Sequence, residues 1–302
     1  MTEFHKAPDG NPERFKKYPN GFKKTGTFFS KEKGESSLTV KLIASDMDDT
    51  LLNSNTKLSE NNAAAIHKAI AQGIVFMIAT GRMYVSVKPY ADALGLDVPL
   101  VTYNGALVKG SKSGKVYYEH PLKLDTALEL LAYCKEKGYY IQSYQGDELW
   151  VKEETVFSAE YERISGIKAK PVGEKLYHPE VAPYKLLAMT KPEEFQKVWQ
   201  DIQQKFAGKV TVTSSRDNFL ELMEPGVNKW NAVKAVAASY GIRPEEVMCI
   251  GDSNNDLSMI ENAGIGVAVA NAKPAVQAAA KLVTASNDED GVAEAIETVL
   301  QP

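Results

Sequence analysis

The sequence predicts an α/β fold, a doubly wound and mainly parallel sheet core with a smaller α+β domain inserted into it. Three observations carry that expectation. Short, β-rich and largely apolar runs such as Leu38 to Ala44 and Ile74 to Ala79 alternate with stretches of helical periodicity, the pattern of parallel strands covered on both faces by helices. The same alternation returns near the end of the chain. Between the two stretches the order changes to a helix followed by paired strands, twice over, which suits an antiparallel sheet.

The elements follow in order. After the first apolar run, Ser59 reads as an N-cap, with Ala63, Ile66 and Ile70 at helical spacing before Gly73 closes the helix. The second run, Ile74 to Ala79, is a buried strand. Tyr84 to Leu94 reads as a helix despite Pro89, and Leu100 to Tyr103 as a third strand. In the middle, helix Asp125 to Lys137 precedes strands Tyr139 to Tyr144 and Glu148 to Lys152. An irregular, partly helical stretch leads to strand Lys185 to Met189 and helix Pro192 to Phe206, then to strands Lys209 to Thr213 and Phe219 to Met223. The parallel pattern resumes with helix Lys229 to Tyr240, strand Val247 to Ile250, helix Leu257 to Ala263 and strand Gly266 to Val269. Leu282-Val283 and Val292 to Leu300 supply a last short strand and helix. The insertion is expected to enter near His120-Pro121 and leave near Asp217, so residues 121–218 interrupt a core formed by 41–120 and 219–302.

Composition narrows the possibilities further. A chain of 302 residues, 44% hydrophobic and 25% charged, is neither collagen-like, wholly disordered nor a disulfide-rich mini-protein. A net charge of −4 provides no global positive field for nucleic acid or an anionic membrane. Cys134 and Cys249 are too few for a disulfide framework or a zinc site and read as buried free thiols. No apolar run approaches the ~18 residues that span a bilayer, and the N-terminus lacks the apolar core of a signal peptide. A cytoplasmic location is expected. Residues 1–40 stand apart, with eight basic and five acidic residues interrupted by three prolines and four glycines. Too little apolar surface is available there to offset ordering entropy, so a flexible extension is expected in preference to a nucleic-acid tail. Its +3 leaves −7 on residues 41–302.

The sharpest feature is Asp46-Met47-Asp48-Asp49-Thr50-Leu51-Leu52, directly after the first strand. Ligands of α/β sheets bind beyond the carboxyl ends of strands, and carboxylates crowded there repel unless a cation compensates. Oxygen-only ligands beside a phosphate suit Mg²⁺. A calcium-loop reading fails on spacing, because Leu51 and Lys57 stand where that loop needs Gly and Glu. Three more groups fall at the same edge. Thr80-Gly81-Arg82 ends the second strand with a hydroxyl and a glycine amide able to meet phosphate oxygens. Lys229 opens a helix, where its charge opposes the dipole. Gly251-Asp252-Ser253-Asn254-Asn255-Asp256 ends the fourth parallel strand. Asn104-Gly105, after the third, reads as a turn.

In that order, Asp46-x-Asp48-x-Thr50, Thr80-Gly81, Lys229 and Gly251-Asp252-x-x-Asn255-Asp256 resemble the four motifs of the haloacid dehalogenase superfamily. With Ala-Thr-Gly-Arg and Tyr-Asn-Gly-Ala they are similar to its Cof-type phosphatases, which carry a large α+β cap between the second and third motifs of a Rossmann-like core. The resemblance runs from about Lys41 to Pro302. It implies a Mg²⁺-dependent phosphatase that hydrolyses a small phosphorylated metabolite, a sugar phosphate or a phosphorylated cofactor or precursor, through an aspartyl-phosphate. Asp46 would be the nucleophile and Asp48 the acid and base. Mg²⁺ would be held by the Asp46 carboxylate, the Asp48 carbonyl and Asp252. Thr80, the Gly81 amide, Lys229 and Asn255 would hold phosphate oxygens, with Asp256 orienting Lys229 or a water on the metal. Two departures stand out: Asp49 sits where glycine is common, and Trp230 follows Lys229 where a small residue is common. A phosphomutase of the same superfamily would share the covalent step. A non-catalytic phosphate-sensing module of the receiver type is disfavoured by the inserted domain. In that insertion Tyr139, Tyr140, Tyr144, Trp150, Arg163 and Arg216 are candidates for specificity as well as for packing, while Phe157 and Tyr161, at i and i+4, read as core.

Overall fold

Strand β1, Leu42–Ser45, is apolar on both faces and therefore sits in the middle of a sheet rather than at its edge. It pairs in parallel with β2, Val75–Ala79, on one side and with the later strand Val247–Gly251 on the other. Ser59 caps helix α1, Glu60–Ala71, by accepting from the Asn62 amide, as its position predicts. Helix α2, Tyr84–Ala93, follows β2, and β3, Pro99–Thr102, extends the sheet. These assignments come from a computed structural model describing residues 39–214 and 216–300. All but the last two residues of the expected N-terminal extension, 1–40, lie outside the described residues.

The chain then adds two antiparallel strands that the apolar pattern alone does not announce, β4, Leu107–Gly110, and β5, Val116–Glu119. Helix α3, Leu124–Lys137, leads into a second sheet of β6, Ile141–Gln145, and β7, Glu148–Val151. Helix α4, Val156–Ser165, and β8, Ala169–Pro171, occupy the stretch expected to be irregular. Strand β9, Leu186–Met189, helix α5, Phe195–Lys205, and strands β10, Thr211–Thr213, and β11, Phe219–Met223, complete that sheet. The first sheet resumes with α6, Lys229–Ser239, β12, Val247–Gly251, α7, Leu257–Asn262, β13, Ile265–Ala268, α8, Pro274–Ala279, β14, Leu282–Val283, and α9, Gly291–Glu297.

The eight-stranded sheet has the order β14-β13-β12-β1-β2-β3-β4-β5, parallel from β14 to β3. The chain leaves β1 toward β2 and later returns on the opposite side through β12. The carboxyl end of β1 is thus the switch point, where loops diverge and leave a crevice for a ligand. The expected α/β class with a mainly parallel sheet is what the structure has. The six-stranded sheet has the order β10-β11-β9-β6-β7-β8, and both sheets belong to one compact unit, Leu38–Pro302.

One expected boundary needs correction. A return to the core at residue 219 would put β11 in the first sheet. Instead β11 lies inside the second, antiparallel to both β10 and β9, so the chain leaves that sheet only after Met223. The physical reason is its alternation. Leu220 and Leu222 pack with Leu130, Val198 and Ile202 under α3 and α5, while Phe219 and Met223 join Met83, Tyr103 and Leu187 on the face toward the first sheet. A strand buried on both sides needs a layer on each, and β11 has one in the core under α3 and α5 and the other in the cluster with Met83 and Tyr103.

Candidate active site

Four carboxylates reach the switch point from two adjacent strands. After β1 the backbone kinks through Met47–Leu51, with Asp49 at φ 55°. That left-handed value is where glycine is easiest and where Asp is among the tolerated alternatives. Asp49 therefore meets the same backbone requirement as the glycine it replaces, and its exposed side chain stays clear of the buried cluster. Trp230 packs into the main core.

Lys229 links the first and last motifs. Its side chain is wholly buried, and Nζ donates to Asp46 Oδ1 at 2.5 Å and to Asp256 Oδ1 at 2.6 Å. The backbone amides of Asp252 and Ser253 donate to Asp256 Oδ2 at 3.0 and 2.9 Å. Both oxygens of Asp256 are thereby engaged in holding the lysine and the turn. Burial pulls the Lys229 ammonium toward neutrality, but Asp256 and Asp46 outweigh it and hold the lysine above its usual range. The unfavourable placement of a lysine in a first helical turn is thus repaid by two anions.

Oxygen atoms of Asp46, Asp252 and Asp256 all lie within 4.8 Å of one another, and all three residues are buried. Burial, then the charge of Asp256, pushes Asp46 well above the ordinary carboxylate range against the pull of Lys229. Asp252 is pushed up to about 6 by burial and then by Asp256, although hydroxyls of Ser253 and Thr50 bond its oxygens. One lysine does not balance this charge. The donor set is all oxygen and electrostatically short of a cation, which fits a hard divalent ion. Because Asp256 is committed to Lys229 and two amides, Asp46 and Asp252 are the carboxylates best able to hold it.

Asp48 is half-buried and turns elsewhere. Arg82 grips it with both arms of the guanidinium, Nε to Oδ2 at 2.8 Å and Nη2 to Oδ1 at 2.5 Å, a planar fork that fixes the direction of the carboxylate. Thr80 is buried, and its Oγ1 accepts from the Arg82 amide at 3.1 Å. At Gly81 an added Cβ would come within 2.8 Å of Asn104 Oδ1, so a larger residue would push the Asn104 side chain from its place. Asn255 Nδ2 donates to that same Oδ1 at 3.1 Å.

All of the expected site residues therefore lie at one sheet edge. Arg82 and Asn104 were visible only as neighbours of motifs, yet each bonds a motif residue. The candidate specificity residues divide. Tyr144 is buried between the sheets with Tyr103 and Tyr161, and Tyr139 bonds Asp201 behind the second sheet. Tyr140 packs on Phe157, Trp150 bonds the exposed Glu148, and Arg163 and Arg216 are exposed.

A doubly wound sheet that buries a carboxylate nest and one lysine at its switch point presents a site suited to a cation and an anionic group. The family model of haloacid dehalogenase-like hydrolases matches residues 43–296, and the chain belongs to that family, in its Cof-type phosphatase branch of phosphoric monoester hydrolases. It is 31% identical over 291 residues to the 5-amino-6-(5-phospho-D-ribitylamino)uracil phosphatase YwtE of Bacillus subtilis (strain 168), covering 86% of this chain and 98% of the relative. Phosphatase YwpJ of the same organism is 28% identical over 288 residues, covering 86% and 100%. A solved haloacid dehalogenase-like hydrolase from Bacteroides thetaiotaomicron superposes with a TM-score of 0.79 at 30% identity, over 87% of this chain and 100% of that one.

Proposed function

We propose that the protein hydrolyses a small phosphorylated metabolite through an aspartyl-phosphate on Asp46, with the second sheet and its helices serving as a cap over the leaving group. The observation that supports this most is the wholly buried Lys229 joining Asp46 to Asp256. It aims a carboxylate oxygen from the switch point and keeps a positive charge beside it, where an anionic phosphate must approach. A carboxylate of Asp46 attacks phosphorus and the ester oxygen leaves, taking a proton from Asp48. Water then attacks the acyl phosphate, Asp48 accepts its proton, and phosphate departs with Asp46 restored. Thr80, the Gly81 amide, Lys229 and Asn255 hold the oxygens not in line. Asp256 orients Lys229. The Asp46 carboxylate, the Asp48 carbonyl and Asp252 would hold Mg²⁺, which offsets the repulsion between anionic enzyme and substrate and takes up charge in transfer.

The substrate class rests on the relatives. One is named for a phosphorylated ribitylaminouracil, a sugar-like phosphate on a heterocycle, so sugar phosphates and phosphorylated cofactor precursors are the substrates to try first. The buried free thiols Cys134 and Cys249, together with the absence among the described residues of a helix long and apolar enough to cross a membrane, support a cytoplasmic site of action. A phosphate-release screen over a panel of such metabolites, with Mg²⁺, tests the proposal. Release of inorganic phosphate from at least one class is expected. Stoichiometric isomerisation without phosphate release would overturn hydrolysis in favour of a mutase.

A further inference from the structure

The face that the second sheet turns toward the catalytic loops is mostly apolar, and two charged residues break that pattern. The two-residue period of a strand places Lys185 with Leu187 and Met189, and Glu221 with Phe219 and Met223, on the face toward Met83 and Tyr103. Both charged residues are buried, at 2% and 3% exposure. Lys185 Nζ donates to the carbonyl oxygen of Gly81 at 2.7 Å, lies 3.5 Å from Glu221 Oε1 and sits over the ring of Tyr144. Glu221 Oε2 accepts from Asn104 Nδ2, and Asn104 Oδ1 accepts from Asn255 Nδ2. A continuous run of polar contacts thus leads from the second sheet to the loop of Gly81 and to Asn255.

The loops at its end are held tightly. Tyr103 and Asn104 have φ 52° and 56°, a costly conformation for tyrosine. Their amides donate to the carbonyls of Arg82 and Thr80 at 3.0 Å each, which locks the two turns together. A buried ion pair is seldom more stabilising than apolar residues of the same size. Packing alone therefore gives no reason for Lys185 and Glu221, whereas their contacts with the turns do.

We infer that Lys185 and Glu221 are positioning residues that hold the Gly81 peptide and the Asn104–Asn255 pair in the orientation a bound phosphate requires. Docking of the second sheet and binding of phosphate then stabilise each other, since such coupling is reciprocal. The inference rests on the phosphatase reading for its ligand, but its contacts stand independently of that reading.

Three variants test it: Lys185→Met, the nearly isosteric Glu221→Gln, and the two combined, which leaves no buried charge alone. The probes are p-nitrophenyl phosphate as substrate and inorganic phosphate as competitive product. For Lys185→Met and the double variant, KM and the phosphate inhibition constant are expected to rise together at least tenfold, and for Glu221→Gln about threefold. Asp201→Asn, on the helix behind the same sheet, should move neither. A purely structural role would lower the folded fraction, and with it the rate per milligram, without moving the phosphate constant. A constant within twofold of wild type in the folded variants overturns the inference. Lack of turnover by the wild type, of p-nitrophenyl phosphate and of the metabolite panel alike, overturns the phosphatase reading instead. Hydrogen exchange then decides the positioning role: the amides of Arg82 and Asn104 should exchange at least tenfold faster in the variants, and unchanged exchange refutes it.

Discussion

The two sheets bury polar groups in opposite ways. In the first, a cluster of buried ionisable residues gathers at the carboxyl ends of β1 and β12, where Asp46, Asp252, Asp256 and Lys229 compensate one another only in part. The second is lined toward its partner by tyrosines and aliphatic residues, interrupted by the paired Lys185 and Glu221. The difference follows from topology. Parallel strands end at one edge and send all their loops into one crevice, so charges far apart in sequence converge there. Antiparallel strands alternate direction, and their broad face supplies shape. Incomplete compensation suits the place proposed for an ion and a phosphate, and close pairing the place where two surfaces meet.

Breaking the first sheet's chemistry should have the largest effect. Asp46→Asn keeps the size of the side chain but removes the nucleophile, and kcat should fall at least about 10³-fold, a loss typical for a residue that forms the covalent intermediate. The fold should be retained, because Lys229 keeps its bond to Asp256. Retention of more than a few per cent of activity would remove Asp46 from that role. Chelation comes next. EDTA should lower phosphate release by about 10²-fold or more, the scale of charge stabilisation that a metal supplies, and Mg²⁺ should restore it. Full turnover in EDTA would mean that the carboxylate nest works without a cation.

Much of the first sheet was legible because its information is local. Each catalytic motif directly follows a continuous apolar strand or opens the next helix, so position along the chain predicts position at the edge. Ser59 and the lysine at the start of α6 could be read from capping and dipole rules alone. What escaped is what tertiary contact decides. Arg82 bonds Asp48 across 34 residues, and Lys185 meets Gly81 across 104. No spacing rule relates either pair. The β4–β5 hairpin did leave a signal, β-rich runs on both sides of Gly110-Ser111-Lys112-Ser113-Gly114, but its strands carry neither a long apolar run nor a motif. The boundary at residue 219 failed because β11 is as apolar as a core strand. Its pairing with the strand before it, already suggested by the second helix-and-paired-strands unit, is what assigns it to the second sheet.

The smallest effect sharpens the comparison from behind the second sheet. Asp201, on α5, accepts from the hydroxyls of Tyr133 and Tyr139 at 2.8 Å each, and those bonds hold its carboxyl below the ordinary range. A carboxyl whose value is depressed on folding stabilises the protein above its unfolded value, about 4, and loses that contribution as pH falls through the folded value. Asp201→Asn should therefore lower stability at neutral pH by about 1 kcal/mol, the net worth of a hydrogen-bonded group at a wet surface. The difference between variant and wild type should shrink as pH drops below 4. Thermal melts of both proteins from pH 7 to pH 3 measure it. The kinetic constants should be unchanged throughout, since α5 packs on the face of the sheet turned away from the catalytic loops. A change in KM would mean that the outer helices of the second sheet also set the geometry of the site, and the division of labour between the two sheets would fail.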